Sequence, residues 1–220
     1  SGTGNEATLH RNRTALDQVL LQPSILHGEA DPDLSVTLLG HNHPLPFGVA
    51  PVGMSGLIWP GAEEMLARAA ATADIPFGLS TMASRTPEDV APHLGAHGWF
   101  QLYAPRDPDI LHDMLARARN SGFETLVLTV DVPVASRRER QTRGGLTTPP
   151  NLHTRMLTDL ARRPAWLNGI RKTGMPRPKM IENYLNSLKA NPDRVNNLKV
   201  IFQRYLSPED YRDLQTQWNT

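Results

Sequence analysis

The chain has 220 residues, 39% of them hydrophobic and 20% charged, with no cysteine, a composition that excludes a disordered polymer and a disulfide scaffold. Its net charge is +1, but residues 1–150 hold 11 Lys+Arg against 16 Asp+Glu and residues 151–220 hold 12 against 6, which marks an organisational boundary near Pro149-Pro150. A total charge this close to zero, with no recognition motif beside the basic part, argues against nucleic acid as a partner.

Short apolar runs ending in polar residues alternate with helical patterns. The first, Pro46 to Gly53, predicts a strand, and Gly61 to Asp74, rich in alanine and leucine, predicts the helix after it. The uncharged stretch from Leu45 to Ala62 is no membrane span, because four glycines and three prolines interrupt it. The second unit is the strand Phe77–Thr81 followed by Thr86-Pro-Glu-Asp-Val-Ala-Pro-His, where Thr86 caps, Pro87 suits the first helical position and Asp89 the first turn. The third is the strand Gly98–Ala104 and a helix capped by Asp107, whose Ile110, Leu111, Met114, Leu115 and Ala118 form one apolar stripe. The fourth strand is Thr125–Asp131, followed by a long connection and a late helix opening at Ser207-Pro-Glu-Asp.

Strand starts near 47, 77, 98 and 125 suit right-handed βαβ crossovers and a parallel sheet, so the class is α/β. In such sheets the C-terminal strand ends carry the chemistry. Polar residues gather there: Ser80 and Thr81, Gln101 and Tyr103, Thr129 and Asp131. Gln101 and Tyr103 are two apart, as are Thr129 and Asp131, so each pair shares one side of its strand. One strand alone would read as polar residues leaving the core; recurrence in three strands points to a polar ligand.

Elsewhere the signals are weaker. His41-Asn42-His43 carries metal-ligand spacing, but Pro44 and Asn42 favour a turn, and no metal site is expected. Gly144-Gly145 is too short for a phosphate loop. Arg155, Arg162, Arg163, Arg171, Lys172, Arg177 and Lys179 alternate with Met156, Leu157, Leu160, Trp166, Leu167 and Ile170. That interleaving reads either as a solvated helix-and-loop insertion or as an amphipathic segment on an anionic membrane. Ser1 is not followed by a secretory leader pattern, and the lack of cysteine suits a reducing compartment, so the expected location is cytoplasmic, peripheral on the inner membrane face if the basic segment binds lipid.

Five segments in order, Glu6-Ala-Thr-Leu-His-Arg-Asn-Arg13, Ala50-Pro-Val-Gly-Met54 with Pro60-Gly-Ala-Glu63, Leu79-Ser-Thr81, Phe100-Gln-Leu-Tyr103, and Leu128-Thr-Val-Asp-Val-Pro133 with Arg137-Arg-Glu139, resemble the FMN-dependent α-hydroxy acid dehydrogenase and oxidase family. The likeness extends loosely through 152–205, where Gly174-Met-Pro is most similar to the mandelate dehydrogenase branch. It implies a TIM (β/α)8 barrel of which this chain supplies about the first four β/α units. The expected layout is an N-terminal segment at 1–45 capping the barrel, four strands within 46–150, a basic insertion at 151–206 and, at 207–220, the helix before a fifth strand.

By the resemblance, the Ala50-Pro51-Val52 backbone lies against the flavin, and Ser80, Gln101 and Thr129 bond its pyrimidine edge. Tyr103 and Arg138 bind the substrate, and Asp131 orients a catalytic histidine. Gly53 and Met82 stand where acceptor preference and the substrate side-chain pocket are set, tilting toward a non-oxygen acceptor and an adaptable, roomy pocket. The implied reaction is FMN-dependent oxidation of a mandelate- or lactate-like (S)-2-hydroxy acid to the 2-oxo acid. The family's His-Gly-Gly base, its strand-five lysine and its phosphate site find no counterpart here, so a second polypeptide or fragment is expected to complete the barrel, within a homo-oligomer of the whole enzyme. At 220 residues the chain falls below the roughly 250 typical of a complete barrel. The alternatives are another β/α-barrel enzyme, an isomerase or aldolase, for which the strand ends lack a lysine or carboxylate pair, and a non-catalytic half-barrel serving as scaffold or membrane-associating module.

Overall fold

A computed structural model of the chain describes residues 2–23, 25, 26, 28, 31–130, 162–188 and 206–219. The chain divides into two compact units, Ser1–Asp33 with Ala135–Asp159, and Leu34–Val134 with Leu160–Thr220. In the first, α1 (Ala7–Asp17) buries none of its residues. The second holds the core.

That core is a parallel sheet in the order β3 (Phe77–Ser80), β4 (Gly98–Tyr103), β5 (Phe123–Thr129), with Ser80 opposite Gln101 and Tyr103 opposite Thr129. The alternation of each strand decides its faces. Phe100 and Leu102 are fully buried toward the helical layer, while Trp99, Gln101 and Tyr103 point the other way. Two helices supply most of that layer, α3 (Ala62–Ala73) through Ala67 and Ala70, and α5 (Pro108–Asn120) through all five residues of the expected stripe. Asp107 caps α5, accepting from the Asp109 N–H at 3.0 Å. The short α4 (Pro87–Val90) carries a complete capping box between Thr86 and Asp89.

The predicted first strand is reduced to one parallel bridge, Val49 to Phe77. Pro46 and Pro51 remove the donors a ladder would need, leaving the Val49 N–H on Pro76 and the Gly78 N–H on the Val49 carbonyl, at 2.7 and 2.8 Å. The turn expected at His41–His43 is likewise corrected. It is strand β2 (His41–His43), antiparallel to β1 (Val36–Leu38), and the turn falls one step earlier at Leu39-Gly40, both at positive φ. A cavity of about 420 Å³ lies between this hairpin and the inner face of the sheet, bordered by Val36, His43, Trp99 and Val127.

The basic segment holds two helices, α6 (Pro164–Thr173) and α7 (Lys179–Leu188). Both are tied to the body. The Trp166 indole donates to the Leu57 carbonyl at 3.1 Å beside α2 (Ser55–Ile58). Lys179 meets Asp89 at 3.1 Å, and Arg117 of α5 grips Glu88 through two bonds while reaching the Tyr184 hydroxyl. Burial and the bond to Asp113 push the Tyr184 phenol up to about 12, so it stays a neutral donor. The last helix, α8 (Pro208–Asn219), buries Leu214 and sets the Trp218 indole on the Glu124 carbonyl of β5. Among the described residues, no helix is long and apolar enough to cross a membrane.

Candidate functional site

At the C-terminal ends of the three strands, one amide joins its neighbours into a row. The Ser80 hydroxyl donates to Gln101 Oε1 at 2.9 Å, and Gln101 Nε2 donates to Thr129 Oγ1 at 2.8 Å. Gln101 lies opposite Val127, so its bond to Thr129 runs diagonally, two residues up the next strand. Ser80 and Gln101 are 6% and 5% exposed, which makes these bonds obligatory. Ser80 also accepts the Met82 N–H at 3.2 Å, which uses its hydroxyl in both directions. Counting donors, the second hydrogen on Gln101 Nε2 and the Thr129 hydroxyl hydrogen remain among the described residues. Such a row can hold the edge of a planar heterocycle whose carbonyls accept.

Thr81, fully buried, supports this row from behind. Its hydroxyl donates to the Gln101 carbonyl and accepts the Tyr103 N–H at 3.2 Å, so the backbones carrying both side chains are fixed. Tyr103 is half-buried at the open end of β4.

The segment after Val49 reaches the same edge. A Cβ on Gly78 would stand 2.8 Å from Pro51 N and Cδ, so only glycine lets Pro51 lie against β3. Gly53 sits over the end of that strand, where a Cβ would meet Met82 Cβ at 3.1 Å and Ser80 Oγ at 3.9 Å. The Met54 N–H bonds the Met82 carbonyl at 2.9 Å. Ala50, Pro51, Val52, Gly53, Met82, Ser80, Gln101, Thr129 and Tyr103 therefore gather along one rim, with Ala50 and Val52 exposed. Asp131 and Arg138 lie outside the described residues.

Thr81, read from the sequence as one of the ligand-facing polar residues, is instead buried behind the row, and two features carry no role in the sequence reading: the close approach at Gly78 and a buried carboxylate, Glu63. A glycine inside an apolar strand was a usable signal for the first. Among the described residues, no group of three or more His, Cys, Asp or Glu is placed to hold a metal.

The model of the FMN-dependent dehydrogenase family matches residues 1–220. The chain belongs to this family. It is 32% identical to an L-lactate dehydrogenase of Yersinia pestis (strain Pestoides F), over 96% of this chain and 61% of that protein. It superposes on the structure of the monotopic membrane protein (S)-mandelate dehydrogenase with a TM-score of 0.80 at 28% identity, over 99% of this chain and 57% of the other. Against a mandelate oxidase variant with (S)-mandelic acid the TM-score is 0.60 at 39% identity, over 66% and 43% of the two chains. The chain thus spans about three-fifths of the lactate dehydrogenase's length, and its parallel sheet is part of the β/α barrel of these flavoenzymes. FMN is the cofactor of the family, and the donors left on Gln101 and Thr129 suit the carbonyl-bearing edge of its ring system.

Proposed function

We propose that this chain forms about the first four β/α units of a barrel that oxidises a mandelate- or lactate-like (S)-2-hydroxy acid to the 2-oxo acid, completed by a second half that brings the histidine base. The observation that carries the reading is the Ser80–Gln101–Thr129 row across three parallel strand ends, in a chain matched along its whole length by an FMN-dependent family. Gln101 and Thr129 hold the pyrimidine edge of the flavin, with Ser80 fixing the Gln101 amide. The Ala50-Pro51-Val52 backbone covers the flavin's other edge, kept close by the glycine at 78. FMN, when bound, supplies the two-electron acceptor.

The remaining roles belong to side chains. Tyr103 and Arg138 bind the substrate's carboxylate and hydroxyl, and Asp131 orients the histidine and stabilises its charged form. Gly53 and Met82 border the substrate's side chain; Gly53 favours a non-oxygen acceptor and Met82 makes the pocket adaptable. The organisation proposed is a cap at 1–45, strands within 46–150, the insertion at 151–206 and a helix at 207–220. The completed enzyme is a homo-oligomer in the cytoplasm, held at the inner membrane face through the insertion.

The test is the completed barrel, this chain together with its C-terminal half. It purifies yellow, and its flavin absorbance bleaches under nitrogen on addition of (S)-mandelate or (S)-lactate. A colourless complete assembly, or a yellow one that no 2-hydroxy acid bleaches, overturns the reading.

A further inference from the structure

Glu63 is the feature of the fold that the row at the rim does not use. It opens α3, is 2% exposed, and is one of few charged groups the core admits. Burying a carboxylate is costly unless donors surround it. Here three converge on one oxygen: the Ser84 hydroxyl at 2.6 Å, the Ser84 N–H at 2.9 Å and the Gly56 N–H at 3.3 Å, all to Oε1. Burial pushes the carboxyl up, but the Ser84 hydroxyl and N–H, with smaller help from the Glu63 N–H and the Ser55 hydroxyl, together outweigh it and hold Glu63 below the usual carboxylate range, hence charged. Its other oxygen, Oε2, is buried with no hydrogen-bond partner among the described residues. An apolar residue in its place would leave the Ser84 N–H and hydroxyl and the Gly56 N–H without an acceptor.

What the carboxylate joins explains its place. Ser84 belongs to the segment after β3, which carries Met82. Gly56 belongs to the segment after Val49, which carries Ala50 to Gly53. The two segments otherwise touch through the Met54–Met82 backbone bond and the tight Gly53–Met82 approach. Gly56 is shaped for the contact: a Cβ there would fall 2.1 Å from Ser84 Oγ and 3.3 Å from Glu63 Oε2.

We propose that Glu63 is a positioning residue, which locks the two segments through Ser84 and Gly56 and so sets the separation of Gly53 and Met82 beside the flavin and the substrate's side chain. This rests on the functional reading above. Loss of the lock changes which 2-hydroxy acids are preferred and how the flavin is seated before it changes the fold.

The experiment uses the completed barrel in four forms: wild type, Glu63→Gln, Ser84→Ala and the double variant. Glu63→Gln keeps the shape and one acceptor but removes the charge, and Ser84→Ala removes a single hydroxyl, so it folds even where the first does not. Two readouts are taken: the visible spectrum with the FMN dissociation constant, and the ratio of kcat/KM for (S)-mandelate over (S)-lactate. Misplacement by about 1 Å costs about 100-fold in rate, so the smaller displacement expected here shifts the ratio by roughly 10-fold in each single variant. The double variant is expected to be no worse than the poorer single one, because both cut the same link. An unchanged spectrum and ratio with only a lower melting temperature, or fully additive effects in the double variant, overturns the proposal. A colourless wild type instead overturns the functional reading on which it rests.

Discussion

Gln101 is asked to do two things at once, since one amide orients two hydroxyls and still presents a hydrogen outward. Gln101→Leu keeps the volume but leaves the Ser80 hydroxyl, 6% exposed, and the half-buried Thr129 hydroxyl without their partner. Each buried polar group orphaned in this way costs about 1–3 kcal/mol. With Gln101 on the flavin as proposed, part of that loss falls on FMN binding, whose affinity in the completed barrel is then expected to drop by roughly tenfold or more, at 1.4 kcal/mol per decade. Fluorescence titration of FMN measures it, and an unchanged dissociation constant would remove Gln101 from the flavin site. The row itself was legible because polar residues recur at the same level of three strands. Glu63 was not legible: a glutamate in the first turn of a helix is ordinary on helix-dipole grounds, and nothing local reveals that Ser84, 21 residues on, folds back over it.

Among the elements, those with a strong period were readable. The stripe on α5 is buried at every expected position, and the Thr86 and Asp107 caps close as their sequences demand. The hairpin was not, because its turn places Leu39 at φ 52, a conformation leucine disfavours, so no Asn-Gly signal marks it. The same hairpin carries an acid-sensitive group. His43, 3% exposed, has no partner for Nδ1 among the described residues and packs edge-on to the His97 ring at 4.3 Å, with His41 and Asp74 also near. Burial, then the neighbouring His97 and His41, hold its pKa below the ordinary 6.5, with Asp74 pulling weakly the other way. The unfolded chain therefore binds more protons than the folded one once pH drops below about 6.5, and stability is lost on acidification. His43→Phe is expected to flatten this loss. Urea midpoints at pH 7.5 and 5.5 check it, and equal falls in wild type and variant would assign the acid sensitivity elsewhere.

For the whole molecule, two surfaces remain to be accounted for. The outer edge of β5 has no strand beside it among the described residues, and a groove between β5 and α8, bordered by Leu126, Leu128 and Tyr211, runs along it. A parallel edge of this kind is rarely left open in a β/α fold, which supports the second half proposed above. The other surface is the charge asymmetry that divided the sequence at Pro149-Pro150. The Trp166–Leu57 bond, and the close approach of Gly169 to Pro60, set α6 beside 57–60. This places the exposed Ile58 and Trp59 near the exposed Leu167, on a helix whose last turn carries Arg171 and Lys172. Exposed apolar side chains with cations on the same helix match the outer layer of an anionic bilayer better than they match water. Each cation near such a surface contributes about 1 kcal/mol, so a pair reversed in sign is expected to weaken binding by an order of magnitude or more. The completed barrel should therefore sediment with vesicles containing phosphatidylserine and not with pure phosphatidylcholine, and less so at high salt, where screening shortens the reach of the charges. Arg171→Glu with Lys172→Glu should weaken sedimentation by that order of magnitude while leaving the yellow colour and turnover intact, because neither residue is among those assigned to the rim. Vesicle binding indifferent to lipid charge, salt and this double reversal would return the basic segment to an ordinary solvated insertion.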